Sequence, residues 1–274
     1  MKKITSINTA ISQAISNISV KATKPMQEPD YCAAMVLELP RLLNVSPAFP
    51  KIRFAGCFIH QSPKVTFCGK SAKPSTCELG DLLVICHDKV DGDDRYNAAL
   101  IQLKKPTNGC TETIKGDALK QLYLYEHWPK FTLNSTGTVV YDIYPKTVTP
   151  GAQYGIICSG VQDKVFCSIP SILLSAQDSV SFARFLINLM KWQTGRPFVL
   201  DLKNTDDTWS FLISQLIHVS LSKRFNRKNI GQFNQPRMSK RLFSFFSSFE
   251  EKDGVAKDKE DGISILYIEM EEEQ

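Results

Sequence analysis

One β-hairpin signal constrains the fold of this chain more than any other feature. Two apolar stretches rich in β-favouring residues, 81–89 and 96–105, flank the turn-rich segment VDGDDR. Glycine and aspartate tolerate the positive φ that tight hairpin turns need. The sequence therefore predicts two antiparallel strands that are joined by a turn at Gly92–Asp93.

The predicted register brings three polar side chains together at one end of this hairpin. With the turn at Gly92–Asp93, residue i lies opposite residue 185 − i, which places Asp81 opposite Lys104. Gln102 shares the face of Lys104, because side chains alternate along a strand. A carboxylate, an amide oxygen and an ammonium group in this arrangement can hold a divalent cation and a water molecule beside a phosphate.

The chain is long enough for one large domain, or for one domain with an appendage. Its 274 residues are 43% hydrophobic, as in an ordinary globular protein. The net charge of +5 is compatible with a polyanionic partner. Residues 223–241 include seven basic residues and no acidic one, whereas 250–274 is strongly acidic. We predict a polar N-terminal arm (1–28), an α/β domain (29–222) and a basic, then acidic, C-terminal extension (223–274).

The cysteines predict a reducing compartment. None of the eight forms a CxxC pair and most lie in apolar strand-like runs, so we expect buried reduced thiols. A zinc site at Cys86–His87 with Cys68 and Cys77 would need irregular spacings. Polar residues interrupt the N-terminal segment, and no apolar run reaches the ~18 residues that a membrane-spanning helix needs. We expect a soluble, cytoplasmic protein.

Elsewhere, hydrophobic periodicity predicts helices and strands in a defined order. Asp30 can cap a helix whose apolar spacing continues until Pro40. Strands are predicted at 51–60, at VTF, in TGTVVYDIYP, in AQYGIICSG and at ISILYIEM, and further helices at 114–128, 178–192 and 206–221. Around the hairpin the order is therefore helix, strand, hairpin, helix, strand.

This order and its polar residues resemble the PD-(D/E)XK phosphodiesterase superfamily, which includes restriction endonucleases, resolvases and repair nucleases. The resemblance covers roughly residues 29–160 and rests on Asp81 at the start of the second strand and on Gln102 and Lys104 at the end of the third. It implies a restriction-endonuclease-like αβββαβ core, with a mixed central sheet flanked by helices and with added C-terminal helices. Gly80 stands where the family has proline, and Gln102 where it usually has an acidic residue.

The resemblance also implies a role for each residue of the motif. Asp81, the side-chain oxygen of Gln102 and the carbonyl of Leu103 would bind Mg²⁺ or Mn²⁺, which prefer oxygen ligands. Lys104 would position the attacking water and stabilise charge on the phosphate. Glu78 is a further candidate ligand, because it would restore the charge that is missing at Gln102.

The implied activity is that of a cytoplasmic, metal-dependent endodeoxyribonuclease. Its substrate would be DNA, with RNA as the alternative. A role in phage defence is also implied, and the expected partner is then a second copy of the chain or another protein of the defence system. The helix after the hairpin carries Gln121 and Tyr125 on one face, beside the implied site, with core packing as the alternative role. Expected contacts to nucleic acid are His60, Lys105, Lys223, Arg224, Arg227 and Lys228.

Two other interpretations remain open at this point. The chain can be a non-catalytic module that keeps the sheet and binds a partner protein or nucleic acid, and the amide at Gln102 favours this reading. A cysteine-based hydrolase that uses Cys158 or Cys86 with a histidine has no supporting spacing.

Overall fold

The computed structural model describes residues 2–59, 62–69, 73–134, 139–158, 164–221 and 262–271. These residues contain six α-helices and fourteen strands. The helices are α1 (Lys2–Lys21), α2 (Glu28–Ala33), α3 (Leu39–Asn44), α4 (Ala118–His127), α5 (Phe182–Met190) and α6 (Thr208–Leu221), and a π-helical segment, Ala34–Glu38, joins α2 to α3. The strands are β1 (Ile52–Cys57), β2 (Lys64–Cys68), β3 (Pro74–Glu78), β4 (Leu82–Val90), β5 (Asp93–Lys104), β6 (Thr111–Thr113), β7 (Phe131–Leu133), β8 (Val140–Tyr141), β9 (Ala152–Cys158), β10 (Lys164–Ser168), β11 (Leu173–Ser175), β12 (Val180–Ser181), β13 (Arg196–Phe198) and β14 (Ser264–Met270).

Eight of these strands form one mixed central sheet. Seven follow the order β1-β14-β4-β5-β9-β10-β12, and β13 pairs with β5. The pairs β14–β4 and β5–β9 are parallel, whereas β1–β14, β4–β5 and β9–β10 are antiparallel. Buried apolar side chains from helices pack on both faces of the sheet. The predicted α/β class, with a mixed central sheet flanked by helices, is therefore confirmed.

The β4–β5 hairpin exists, but its register differs from the predicted one by two residues. Val90 pairs with Asp93, so the turn consists of Asp91 and Gly92, which both have positive φ (54° and 86°). Asp-Gly is a preferred pair for the type I′ turn, whose two central residues both need positive φ, and the turn therefore lies one residue earlier than predicted. The numbers of two residues that lie opposite each other consequently sum to 183 instead of 185, as in the pair Leu82–Ile101.

Residues 2–21, expected to belong to a polar arm, form the 20-residue helix α1 instead. Its isoleucines and alanines recur every three or four residues and are buried against the π-helical segment, α3 and α5. The Lys21 ammonium and the Asn17 amide donate to the buried carboxylate of Glu38, at 3.1 and 3.3 Å, and so join α1 to the π-helical segment. The polar residues between the isoleucines lie on the opposite side of α1, which is why the segment looks polar in sequence.

Pro40 does not end the second helical region, contrary to the prediction. Proline has no N–H for the carbonyl four residues earlier, which is that of Val36. The chain widens into the π-helical segment, where Leu39 N–H donates to Ala34 O, and it continues as α3. The Val36 carbonyl lies directly against Gly56 of β1, where a Cβ atom would be only 1.9 Å from its oxygen.

Helices α4 and α6 cover the other face of the sheet. The helix predicted from residue 114 begins at Ala118 and ends at His127, and Trp128, which follows in a left-handed conformation (φ 43°), precedes Pro129. Asp207 accepts the N–H of Ser210 at 3.0 Å and so caps α6, which lies within the helix predicted at 206–221. Two small sheets, β3-β2-β7-β8 and β11-β6, lie outside the central sheet.

The cysteines are not all free thiols. Cys110 and Cys158 form a disulfide that links the segment after β5 to the end of β9, with Cα atoms 4.7 Å apart. Sequence spacing gives no hint of this pair, because 48 residues separate its members. The other six cysteines are free. Within the described ranges, no helix combines the length and apolarity that a membrane crossing requires.

Candidate functional site

The backbone that leads to Asp81 is held by Tyr125 of α4. The Tyr125 hydroxyl donates to the carbonyl of Leu79 at 2.5 Å, and it leaves Gly80 so little room that a Cβ atom there would be 3.0 Å away. Asp81 N–H donates to the carbonyl of Ile101 at 2.9 Å and extends the hairpin by one step. Asp81 therefore lies opposite Gln102, one step beyond the last β4–β5 pair.

The Asp81 carboxylate accepts three hydrogen bonds. Oδ1 accepts from the Ser62 hydroxyl at 2.8 Å. Oδ2 accepts from Leu103 N–H at 2.7 Å and from the side-chain nitrogen of Gln102 at 2.5 Å. Among the described residues, no ion pair involves Asp81. All three of these donors are uncharged.

Burial raises the pKa of Asp81 to about 7. Hydrogen bonds from Ser62 and Leu103 favour the ionised form, but the negative charges of Glu78 and Glu28 add to the rise. A half-neutral carboxyl group at physiological pH, with acidic neighbours and no ion-pair partner within the described parts of the chain, favours the binding of a cation.

Asp81 is expected to make the protein less stable as the pH rises toward neutrality. Its folded-state pKa of about 7 exceeds the ordinary value of 3.8. Between these values the folded protein holds a proton that the unfolded chain has released, so the free energy of unfolding falls across the window. Asp81→Asn removes the titration. The free energy of unfolding of Asp81→Asn minus that of wild type should therefore increase by about 1 kcal/mol or more from about pH 5 to about pH 8. Tm against pH for both proteins checks this, and parallel curves would contradict it.

Two buried glutamines continue the network behind Asp81. The Gln102 side-chain oxygen accepts from the side-chain nitrogen of Gln121 in α4. That nitrogen also donates to the Glu78 carbonyl at 3.0 Å. The Gln102 nitrogen donates to Asp81 and, at 3.3 Å, to the Leu103 carbonyl. Gln102 therefore presents its nitrogen, and not its oxygen, to Asp81.

Glu28, at the start of α2, belongs to the same site and was not predicted from the sequence. Its carboxylate accepts the N–H of Lys105 at 2.9 Å. Burial raises its pKa, the Lys104 charge and the Lys105 hydrogen bond lower it, and the charges of Glu78 and Glu112 raise it further. Glu28 precedes Asp81 by 53 residues, and no local pattern links the two. Only the docking of α2 beside the end of β5 brings them together.

The other predicted site residues fall into two groups. Lys104 is partly exposed, two residues beyond Gln102 on the same strand, and its charge acts on Glu28. The Lys105 ammonium donates to the Met26 carbonyl at 2.8 Å and is thereby engaged within the protein. The remaining predicted nucleic-acid contacts lie outside the described residues; they are His60, Lys223, Arg224, Arg227 and Lys228.

The cysteine-centred alternatives find no support in the geometry. Cys86 is buried, and His87 points to the other face of β4. The two ring nitrogens of His87 are hydrogen-bonded to the Tyr267 hydroxyl (2.7 Å) and to Asp94 (2.8 Å). Cys158 has no free thiol, because it forms the disulfide.

The donor set at Asp81 fits a hard cation in chemical type, although no cluster of anionic ligands is preformed. Across the described part of the chain, no three His, Cys, Asp or Glu side chains are grouped as metal ligands. The oxygen atoms near Asp81 are its own carboxylate and the Leu103 carbonyl, with the Glu28 and Glu78 charges close enough to act on Asp81. Oxygen donors of this kind suit Mg²⁺, which binds through one or two carboxylates and retains water.

No family model, curated protein or solved structure matches this chain. Support for a function therefore comes from the residues and their geometry. The features that provide it are the half-buried Asp81 carboxylate, the acidic side chains around it and Lys104 at the same edge of the sheet.

Proposed function

We propose that this chain is a cytoplasmic nuclease of the PD-(D/E)XK type, which hydrolyses phosphodiester bonds of DNA with Mg²⁺ or Mn²⁺. The observation that carries the proposal is the half-buried Asp81 carboxylate, which lies opposite Gln102 and has no ion-pair partner among the described residues. A carboxylate that is largely removed from water and has no cation beside it is costly to ionise, and a bound divalent ion would offset that cost. A role in phage defence, and assembly with a second copy or a defence-system protein, remain predictions.

The residues of the site would divide the work. The Asp81 carboxylate and the Leu103 carbonyl would hold the cation, which when bound polarises a phosphate and lowers the pKa of a water molecule. Lys104 would place its ammonium beside the oxygens on which negative charge develops. Glu28 and Glu78 would increase the negative potential that attracts the cation, and Ser62 would orient the second oxygen of Asp81.

Lys104→Ala is expected to lower plasmid cleavage in Mg²⁺ or Mn²⁺ by about 100-fold or more, because a preorganised positive charge is removed from the transition state. The fold should persist, since the Lys104 side chain is partly exposed at the end of a strand. Nicking of supercoiled plasmid, followed on gels, measures the rate, and the Tm reports on folding.

Lys191→Ala serves as the matched control. Lys191 is exposed after α5, on the face of the sheet opposite to Asp81. Its loss removes one positive charge without touching the site, so cleavage should remain at the wild-type rate. Wild-type cleavage by Lys104→Ala would exclude the proposed role of this lysine.

The second candidate function is a non-catalytic module that binds a partner protein or nucleic acid. The specific observation in its favour is that Gln102 directs its nitrogen at Asp81. If the chain is such a module, Mg²⁺ and Mn²⁺ should not raise the Tm of the wild-type protein more than that of Asp81→Asn. If it is a nuclease, they should.

A further inference from the structure

The carboxamide nitrogen of Gln102 contacts the two oxygens at which a cation would bind. It lies 2.5 Å from Asp81 Oδ2 and 3.3 Å from the Leu103 carbonyl oxygen. Both oxygens only accept hydrogen bonds here, and an amide NH₂ group has two hydrogens to donate. The nitrogen thus supplies two N–H dipoles at the position where a metal ion would supply charge.

The direction in which Gln102 points is set by both ends of the network. At one end the acceptor is the Asp81 carboxylate, and at the other it is the Glu78 carbonyl. Between them lie two amides, and Gln121 can reach the Glu78 carbonyl favourably only with its nitrogen, so Gln102 must turn its oxygen toward Gln121 and its nitrogen toward Asp81. The Gln121 nitrogen serves both the Glu78 carbonyl and the Gln102 oxygen. That contact keeps the Gln102 oxygen away from Asp81.

Protonation of Asp81 does not release this arrangement. Oδ2 accepts the Leu103 N–H at 2.7 Å, so a proton is best placed on Oδ1, where the Ser62 oxygen can accept it. Oδ2 then remains an acceptor for Gln102 in both states. Rotating Gln102 alone would bring its nitrogen against the nitrogen of Gln121. Rotating both amides would turn the Gln121 oxygen toward the Glu78 carbonyl, which is also unfavourable.

We propose that the Gln102 nitrogen occupies the cation position of this site and that Gln121 is the positioning residue that holds it there. The inference rests on the proposed function, in that it concerns the same metal position, and it names how that position is regulated. A divalent ion binds weakly to the wild-type protein, because its entry breaks the bonds that Gln102 makes to Asp81 and Leu103. Removing the Gln121 donor frees Gln102 to present its oxygen to the ion.

Titration with Mn²⁺ alone tests the proposal, by calorimetry and by the rise in Tm with Mn²⁺ concentration. Gln121→Leu keeps the size of the side chain and removes the donor, whereas Gln121→Glu places an acceptor opposite Gln102. We expect both variants to bind Mn²⁺ more tightly than wild type, Gln121→Glu by about tenfold or more, since one or two hydrogen bonds no longer oppose binding. Asp81→Asn should abolish the binding in each background.

Gln153→Leu is the matched control. Gln153 is another buried amide of the central sheet, and it donates to the Pro150 carbonyl and to the Thr194 hydroxyl. The same substitution there should leave the affinity for Mn²⁺ unchanged, although it costs stability. The Tm without metal shows that each variant is folded before its affinity is compared.

Three results would overturn the inference. The first is an unchanged Mn²⁺ affinity in folded Gln121→Glu. The second is a higher Mn²⁺ affinity in Gln121→Glu with no increase in Gln121→Leu, because the added negative charge alone would explain that result. The third is tight Mn²⁺ binding by the wild-type protein. Failure of the proposed function has a different signature. Mn²⁺ affinity that depends on Gln121 without any DNA cleavage would support the inference and exclude the nuclease. DNA cleavage that depends on Lys104, together with a Mn²⁺ affinity that does not change when Gln121 is replaced, would support the nuclease and exclude the inference.

Discussion

Asp81→Asn is expected to reduce DNA cleavage by about 100-fold or more while leaving the fold intact. Asparagine has the same shape, and its single oxygen can accept from Leu103 and Gln102 as Asp81 Oδ2 does. Its NH₂ group would then face the Ser62 hydroxyl, which can accept a hydrogen bond. Only the negative charge is lost, and with it the affinity for a cation. Plasmid cleavage in Mn²⁺, compared with the circular dichroism spectrum and the Tm, measures both expectations.

Asp88→Asn is the matched control for this substitution. Asp88 lies on β4, the strand that Asp81 precedes, but at the hairpin end, where its carboxylate pairs with Arg95 at 2.9 Å. Losing that surface ion pair should cost no more than about 1 kcal/mol and leave cleavage unchanged. Equal activity of Asp81→Asn and Asp88→Asn would show that Asp81 plays no part in the reaction.

The largest expected effect on stability comes from Gly56→Ala. A Cβ atom at this position would lie 1.9 Å from the carbonyl oxygen of Val36, and 2.7 and 2.9 Å from the carbonyl carbon and Cα of the same residue. All three are backbone atoms, so no side chain can rotate to make room. Either β1 or the π-helical segment must shift, and we expect the free energy of unfolding to fall by about 3 kcal/mol or more. Urea unfolding, with the midpoint and slope compared to wild type, gives this value.

Gly69→Ala provides the comparison, because it adds the same methyl group where there is room to adjust. The nearest atom to a Cβ at Gly69 is the Ser75 hydroxyl oxygen, at 3.1 Å, which belongs to a rotatable side chain. The free energy of unfolding should change by no more than about 0.5 kcal/mol. A similarly small effect in Gly56→Ala would mean that β1 and the π-helical segment are not in close contact.

Alternation along a strand made part of the site predictable. Moving the hairpin turn by one residue shifted the register by two and changed the partner of Asp81 from Lys104 to Gln102, but both lie on the same face of β5. The predicted convergence of Asp81 and Gln102 therefore survived an error in the register. An error of one residue would have placed Gln102 on the opposite face of the sheet.

Other parts of the site were not predictable, because they depend on contacts between segments far apart in the chain. Glu28 comes to the site through the docking of α2, and Gln121 through the packing of α4. The orientation of the Gln102 amide follows from its partners at both ends, and an amide in isolation has no preference between them. The sequence motif alone suggested a metal-binding oxygen at this residue, where the structure has a nitrogen.

By itself, the sequence determined what short-range chemistry decides: the hairpin with its Asp-Gly turn, the alternation of its side chains and the capped helix α6. These features depend on backbone preferences and on residues a few positions apart. The tertiary structure alone decided the insertion of β14 between β1 and β4, the passage of a helix through Pro40 and the hydrogen bonds of Gln102. Each of these depends on which distant segments pack together, since buried polar groups and close backbone contacts are satisfied only when their partners are in place.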